Sequence, residues 1–409
     1  MLANALPLVS LMSSKSSAVR LEAPTLVFVT NICPHYRVRT YEILATQYPV
    51  TYYFFSAGDE WYWQQQHGVR AGGFRYQYLP GIKLGGTRFP LRLAPLLLRE
   101  PCDVFIKCIN GRFALPVTYV IARLRQKPFV LWSGIWMRLQ TTFHRLAFPL
   151  TRYIYRHADA IVVYGEHVKR YLISEGVPPQ RIFVAPHAVD NALHSQPAAP
   201  DQLQQIRQSL NIARTQRVIL YLGRLENSKG INYLLDAFAC LTVPDAVLVI
   251  VGEGSEKCRL QAQAAQLGLG ARVRFCSHVP PERTPAYYAL AYAIILPSVT
   301  TPTGKEPWGL VVNEAMNQGV PVIASDAVGA AAGGLVQDGI TGFIVPERDS
   351  AALAAAMERL LASPALRDRL SQQALARIAC WSNERMVHGF REAIAFVLGR
   401  SASAETHCS

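Results

Sequence analysis

Two glutamates frame the stretch EPWGLVVNEAM, residues 306–316. Glu306 stands ahead of a Pro-Trp-Gly turn and Glu314 eight positions later, in a largely apolar segment. Earlier in the chain, GRLENSKG (223–230) places Arg224 and Lys229 on a turn bounded by Gly223 and Gly230. Two cations next to free N–H groups at a helix start suit a diphosphate. By itself, that turn reads equally well as a solvated loop with two surface charges. Around the glutamates, AIILPS (293–298) reads as a buried strand, VTTPTGKEP as a loop and GLVVNEAMNQG as a helix of two to three turns. Gly309 and Leu310 then lie near a helix N-terminus, where unpaired N–H groups attract an anion, and Glu314 follows about one turn in. One carboxylate is available before the anion site and one behind it. Taken singly, Glu314 is also readable as a buried acid satisfied by backbone or Arg, and Glu306 as a surface loop residue.

These groups need a frame to converge. The apolar runs TLVFVTN (25–31), VTYYFFS (50–56), DVFIKC (103–108), KPFVLW (127–132) and DAIVVYG (159–165) predict buried strands. Helical patterns lie between them, as in RTYEILATQY (39–48) and LPVTYVIARLRQK (115–127). A second series starts at RVILYLGRL (217–225) and runs through AVLVIVGEG, RVRFCSHV, AIILPS, PVIASD and TGFIVP. Such alternation predicts an α/β chain with two doubly wound, mostly parallel sheets. The polar, proline-bearing stretch 191–216 is the best boundary. The expected organisation is a flexible tail (1–22), a first domain (23–194), a second domain (195–382) and a final helix (383–400). Ligands bind beyond the carboxyl ends of strands in such sheets, so the cleft between the domains is the expected site. VGEG (251–254) reads as a tight turn lining that cleft; Lys257 stands where a G-x-G-x-x-G fingerprint needs its third glycine.

Of the 409 residues, 50% are hydrophobic and 17% charged, enough for a large core and against wholesale disorder. The eight cysteines are scattered with no C-x-x-C pair, so neither a zinc site nor a disulfide framework is indicated; they read as reduced core thiols of a cytosolic protein. No apolar run reaches the roughly 18–20 residues of a membrane span. The opening MLANALPLVSLMSSKSSAVR lacks a basic signal-peptide start and reads as a tail or a shallow membrane contact. The net charge of +13 is lopsided: residues 1–200 hold 22 Lys/Arg against 10 Asp/Glu, whereas the remainder holds 19 against 18. A basic first half suits nucleic acid, an anionic membrane surface or a phosphorylated substrate. FHRLAFPLTRYIYRH (143–157), with Arg145, Arg152 and Arg156, and the loop-rich stretch 61–100 mix aromatic and basic residues. They fit a nucleic-acid face, a membrane-docking surface, or core aromatics with solvated arginines.

Taken together, GRLENSKG, EPWGLVVNEAM, GVPVIASD and DGITGFIVP resemble the second half of glycosyltransferase family 4, whose members are retaining enzymes of the GT-B fold with an E-x7-E signature. TNICPHYR (30–37) and ADAIVVYGEHVKRYLISEGVPPQRIFVAPHAVD (158–190) resemble parts of its first domain. The resemblance implies two Rossmann-like domains facing a central cleft, with the last helix crossing back to the first domain. It implies that Arg224 and Lys229 bind the diphosphate of a nucleotide-sugar. Glu314 would hold the ribose hydroxyls, Glu306 would hold the donor sugar beside the reacting carbon, and backbone N–H groups at Gly309, Leu310 and Val311 would complete the cradle. No D-x-D occurs in the chain, so no metal and no cofactor are expected. Family members carry a first-domain His near the donor sugar. Here VLWSGIWMR (130–138) has none, leaving Asn31, His35 and Ser133 as candidates. The loop after VIASD also departs from the family, with Asp338 as its first acid. The implied partners are a nucleotide-sugar, a saccharide or lipid-linked acceptor and an anionic membrane surface, with no nucleic acid, in a cytoplasmic or peripheral location. The alternatives are a basic nucleic-acid-binding protein and a catalytically inactive glycosyltransferase-like subunit.

Overall fold

In the computed structural model the described residues are 23–56, 73–84 and 87–400. The predicted tail 1–22 and residues 61–72 of the aromatic, basic stretch lie outside them. The first half carries β1 (Leu26–Thr30), β2 (Val50–Phe54), β3 (Arg75–Tyr78), β4 (Ile82–Leu84), β5 (Thr87–Phe89), β6 (Val104–Cys108), β7 (Phe129–Ser133), β8 (Ala160–Val163) and β9 (Ile182–Val184). The second carries β10 (Arg217–Leu222), β11 (Ala246–Val251), β12 (Val273–Cys276), β13 (Ala291–Leu296), β14 (Val322–Ser325) and β15 (Gly342–Val345). Strands β3-β2-β1-β6-β7-β8-β9 form one parallel sheet and β12-β11-β10-β13-β14-β15 another; β4 and β5 pair as a separate antiparallel hairpin. Every residue of β1, β2, β6, β7, β8, β11 and β14 is buried, as expected of strands with helices on both faces.

Strand order reverses beside β1 in the first sheet and beside β10 in the second. A crevice opens at such a reversal, because the two neighbouring connections leave toward opposite faces. Residues following β1 and β6 therefore meet at one crevice, and residues following β10 and β13 at the other.

The sequence reading shifts in several places. The helix expected from residue 39 begins earlier, at His35–Gln47, with Pro34 at its N-cap. The boundary stretch contains two short helices, Asn191–His194 and Pro200–Ser209; the latter begins on a proline, whose fixed φ suits that position. The glutamate-bearing helix is only Val311–Asn317, about two turns. The last helix, Asn383–Val397, packs on the helix His35–Gln47 and on β8 and β9 of the first half. Its Phe390 sits against Phe28 and Trp132. Cys240 and Cys258 are exposed, so not all the thiols are core. Among the described residues no helix is long and apolar enough to cross a membrane.

Candidate active site

After β10 the chain turns at Gly223, and after β11 at Gly252. The two turns are laced together by Gly223 N–H to Val251 O, Leu225 N–H to Glu253 O and Glu256 N–H to Leu225 O, at 3.0, 2.8 and 3.0 Å. Gly252 has φ +149°, and a Cβ there would overlap the Gly223 carbonyl, so only glycine admits this approach. Val299 N–H donates to Ser228 O at 2.9 Å, which ties the Lys229 turn to the end of β13.

Lys229 and Glu306 meet at that junction as an ion pair; their side chains are only 13% and 14% exposed. Ser298 Oγ donates to the same carboxylate at 3.2 Å. Burial works to raise the Glu306 pKa, but the Lys229 ammonium, the Ser298 hydroxyl and the Arg224 charge outweigh it, and the net shift is downward. Arg224 is 47% exposed and pairs with Glu226 at 2.9 Å. Glu314, one turn into its helix, accepts from Tyr288 Oη at 2.6 Å. Among the described residues, the N–H groups of Leu310 and Val311 have no hydrogen-bond acceptor.

A cavity of about 540 Å³ is lined by Arg224, Glu226, Val311 and Glu314, with the Gly252–Gly254 turn. His35 and His194 line it too. A second cavity of about 330 Å³ continues from Arg224 to Asn31, Arg37, Asn110, Trp132 and Tyr164. A third, about 790 Å³, begins at Asn31 and Asn110 and runs beneath the helix Thr142–His157. The halves are joined directly: Trp136 Nε1 donates to Glu306 O and Asn313 Nδ2 to His187 O, both at 3.0 Å, and Trp308 Nε1 fixes that Asn313 within its own half by donating to its Oδ1 at 2.7 Å.

Arg224, Glu314 and Val311 thus line one cavity with His35, whereas the Lys229–Glu306 pair lies beside it, close enough for Arg224 to act on the Glu306 charge, and lines none of the three cavities. Asn31 accepts from Asn110 Nδ2 at 2.7 Å where the second and third cavities meet. His35 is the first residue of a helix, not part of the preceding loop. Ser133 does not reach the cleft: it is 1% exposed, its hydroxyl accepts from Ile135 N–H at 3.2 Å, and it hydrogen-bonds Tyr155. A serine ending an all-buried strand is consumed by the turn that follows. Gly309 lines none of the three cavities; at φ +90° it shapes the turn into the helix. Arg152 and Arg156 are drawn to Glu175, by an ion pair at 3.2 Å and a 2.8 Å bond to its carbonyl, while Arg145 stays exposed. Sequence reasoning missed Ser298 and Asn110, although both follow strand carboxyl ends at the two reversals, and it missed Arg37 and Tyr288, whose partners are remote in sequence.

Two parallel-sheet domains with a cation-and-acid cleft at the second reversal define a GT-B fold. Two family profiles match the chain: "Glycosyltransferase Family 4" over residues 29–193 and "Glycosyl transferases group 1" over residues 203–377. The chain belongs to glycosyltransferase family 4. It is 29% identical to an alpha-D-kanosaminyltransferase of Streptomyces kanamyceticus, over 71% of this chain and 76% of that protein. It is 34% identical to a D-inositol 3-phosphate glycosyltransferase of Acidothermus cellulolyticus, over 58% of this chain and 54% of that one. The matched stretches thus span about half the length of several such relatives. Among solved structures, Anabaena Alr3699/HepE in complex with UDP superposes with a TM-score of 0.71 at 21% identity, covering 91% of this chain and 99% of that one.

Proposed function

We propose that this chain is a retaining glycosyltransferase that moves a hexose-type sugar from a nucleotide-diphosphate sugar to a membrane-associated saccharide or glycolipid, without a metal. The observation that carries the proposal is a cavity lined by Arg224, Glu314 and Val311, with the buried Lys229–Glu306 ion pair next to it and within reach of the Arg224 charge. Glycosyl transfer passes through an oxocarbenium-like state while negative charge grows on the departing diphosphate. Arg224, Lys229 and the N–H groups of Leu310 and Val311 are fixed positive groups aimed at that growing charge, so they favour the transition state over the bound donor. Glu306 and Ser298 orient Lys229, and the Glu306 carboxylate, held ionised, contacts donor-sugar hydroxyls. Glu314, fixed by Tyr288, accepts from the ribose.

On the acceptor side, the third cavity is largely apolar, with Phe143, Phe148 and Ile154 in its wall and Lys83, Arg88 and Arg112 at its edge. Exposed Ile82, Leu84, Leu91, Leu98, Leu146 and Leu150 lie on neighbouring elements of the same half, a composition suited to an anionic membrane face on the cytoplasmic side. The phosphatidyl-myo-inositol mannosyltransferase of Mycobacterium leprae, 37% identical over 41% of this chain, supports a lipid-linked acceptor.

The test is a thermal-shift and hydrolysis screen of a nucleotide-sugar panel without added metal, beginning with UDP-glucose, the ligand of an Anabaena structure. Stabilisation and turnover with one nucleotide, both reduced about tenfold or more in Arg224→Ala, are the expected result. Silence across the panel overturns the proposal, and binding without turnover returns the chain to an inactive member of its family.

A further inference from the structure

One guanidinium in the cleft is not used by the donor chemistry above. Arg37 is 3% exposed and lines the middle cavity, between the donor pocket and the apolar one. Its side chain lies over the Trp132 ring at 4.3 Å, and its Nη2 donates to Tyr164 Oη at 3.1 Å and to His187 Nε2 at 2.9 Å. Its Nη1 donates to Met386 Sδ at 3.2 Å, a weak acceptor. His187 stands well below its ordinary range through burial and then the Arg37 charge, which keeps it neutral and able to accept. Among the described residues no carboxylate pairs with Arg37, none lines the middle cavity, and its Nε–H has no acceptor. By contrast, the donor-side cations each have an acid, Glu226 for Arg224 and Glu306 for Lys229.

A guanidinium cannot shed its proton, and a buried charge without a counter-charge is costly. Here the neutral partners satisfy part of its fork, and the rest faces a cavity whose walls include the aromatic residues Tyr36, Trp132 and Tyr164 and the amides of Asn31 and Asn110. Arg224 borders the same cavity from the opposite half. Aromatic faces suit the C–H surface of a sugar ring, and a guanidinium fork matches a carboxylate or phosphate bidentately.

We propose that the middle cavity is an anion subsite, in which Arg37, opposite Arg224, binds a carboxylate or phosphate substituent carried by a sugar. The protein would therefore handle an acidic sugar, a uronic acid or a sugar phosphate. This rests on reading the cleft as a glycosyl-transfer site. It also accounts for the absence of a histidine in VLWSGIWMR: Trp132 from that segment supplies a face for Arg37, not a hydrogen bond to a neutral hydroxyl.

The test titrates the full chain, by ligand-observed NMR, with methyl glucuronide, glucose 6-phosphate and methyl glucoside, and separately with UDP and GDP. Wild type is expected to prefer at least one acid over the neutral glucoside by about tenfold to hundredfold. A preference for the glucuronide identifies a carboxylate and one for glucose 6-phosphate a phosphate. Arg37→Gln should bring both acids to the level of the glucoside while nucleoside diphosphate affinity stays within about twofold. Arg37→Lys keeps the charge but not the fork; it should fall between the two and gives a readout if the Gln variant does not fold. No preference in wild type, or preference surviving in the variants, overturns the subsite. So does an Arg37→Gln loss of nucleoside diphosphate affinity as large as the loss of acid, which would assign this guanidinium to the donor diphosphate. If no nucleoside diphosphate binds at all, the glycosyl-transfer reading fails, while an Arg37-dependent acid preference would still define the anion site.

Discussion

The two halves present opposite electrostatic designs to the same cleft. On the second half, Lys229 and Arg224 are each balanced by an acid, Glu306 and Glu226. On the first half, the buried basic side chains Arg37 and Lys107 rest on neutral groups only: Tyr164, His187 and Met386 for the first, Cys108 O and Asn110 for the second. A cation with its own counter-acid stays in place at little electrostatic cost and exchanges partners when a stronger anion arrives. A cation on neutral acceptors keeps its field directed at whatever enters. The second half's cations are thus self-balanced, whereas those of the first half rely on packing and neutral acceptors.

Lys229→Ala should have the largest effect. Removing the ammonium leaves Glu306 buried and unpaired, so stability should fall by about 3–5 kcal/mol. Transfer should fall by about 10²–10³, the usual loss for one preorganised charge stabiliser. Denaturant melts and single-turnover assays check the two parts. If activity disappears with stability intact, Glu306 has another partner and the self-balanced picture is wrong. Arg224→Ala should separate the two effects, because its pair is half exposed. Stability should change by no more than about 1 kcal/mol, while kcat/KM drops about tenfold to hundredfold.

Why this contrast was only half legible in the sequence is a matter of where partners lie. Arg224, Lys229 and Glu306 stand on strand-end turns and Glu314 on the helix that follows, within two compact motifs, and a parallel sheet delivers its strand ends to one edge. Their convergence thus follows from periodicity plus topology. The all-buried strands were legible for the same reason, as apolar runs bounded by turn residues. Arg37 instead takes its environment from Tyr164, His187 and Met386, in β8's following turn, a later loop and the last helix, and no local pattern announces that. Ser133 was chosen by its place at a strand end, yet a buried hydroxyl with two local partners has nothing left for a ligand. The β4–β5 hairpin escaped notice because three-residue strands have no measurable alternation.

Lys107 makes the first half sensitive to pH. Burial pushes its ammonium down from 10.5 to about 7, with the Cys108 thiol opposing weakly. Between those two values the unfolded chain holds a proton that the folded chain lacks, so stability rises with pH across the window and falls as pH drops toward 7. One proton corresponds to about 1.4 kcal/mol per pH unit. Lys107→Met should therefore show a flatter stability profile than wild type between the two values, measured by denaturant unfolding at both ends. Parallel profiles would mean that the ammonium stays charged on its carbonyl partners at 2.5 and 2.7 Å.

The smallest effect concerns the outer surface, where the halves also differ. Along the helix Thr142–His157, Phe143, Leu146, Leu150 and Tyr153 are exposed at helical spacing, Leu146 most of all at 79%. Arg145 stands beside them, exposed. The Arg112 guanidinium, 3.8 Å from the Phe143 ring, covers the mouth of the apolar cavity. In the second half Leu267 is exposed too, at 39%, but at a helix end without such neighbours. If the first half meets an anionic bilayer, Leu146→Ser should weaken co-sedimentation with anionic vesicles by about tenfold, the value of burying one leucine side chain. Its melting temperature should not move, because the side chain is already in water. Leu267→Ser should change neither reading. An equal loss in both would mean that vesicle binding follows general hydrophobicity, and no loss in either would place the acceptor in solution, leaving the apolar cavity to bind the acceptor's non-sugar part without a membrane.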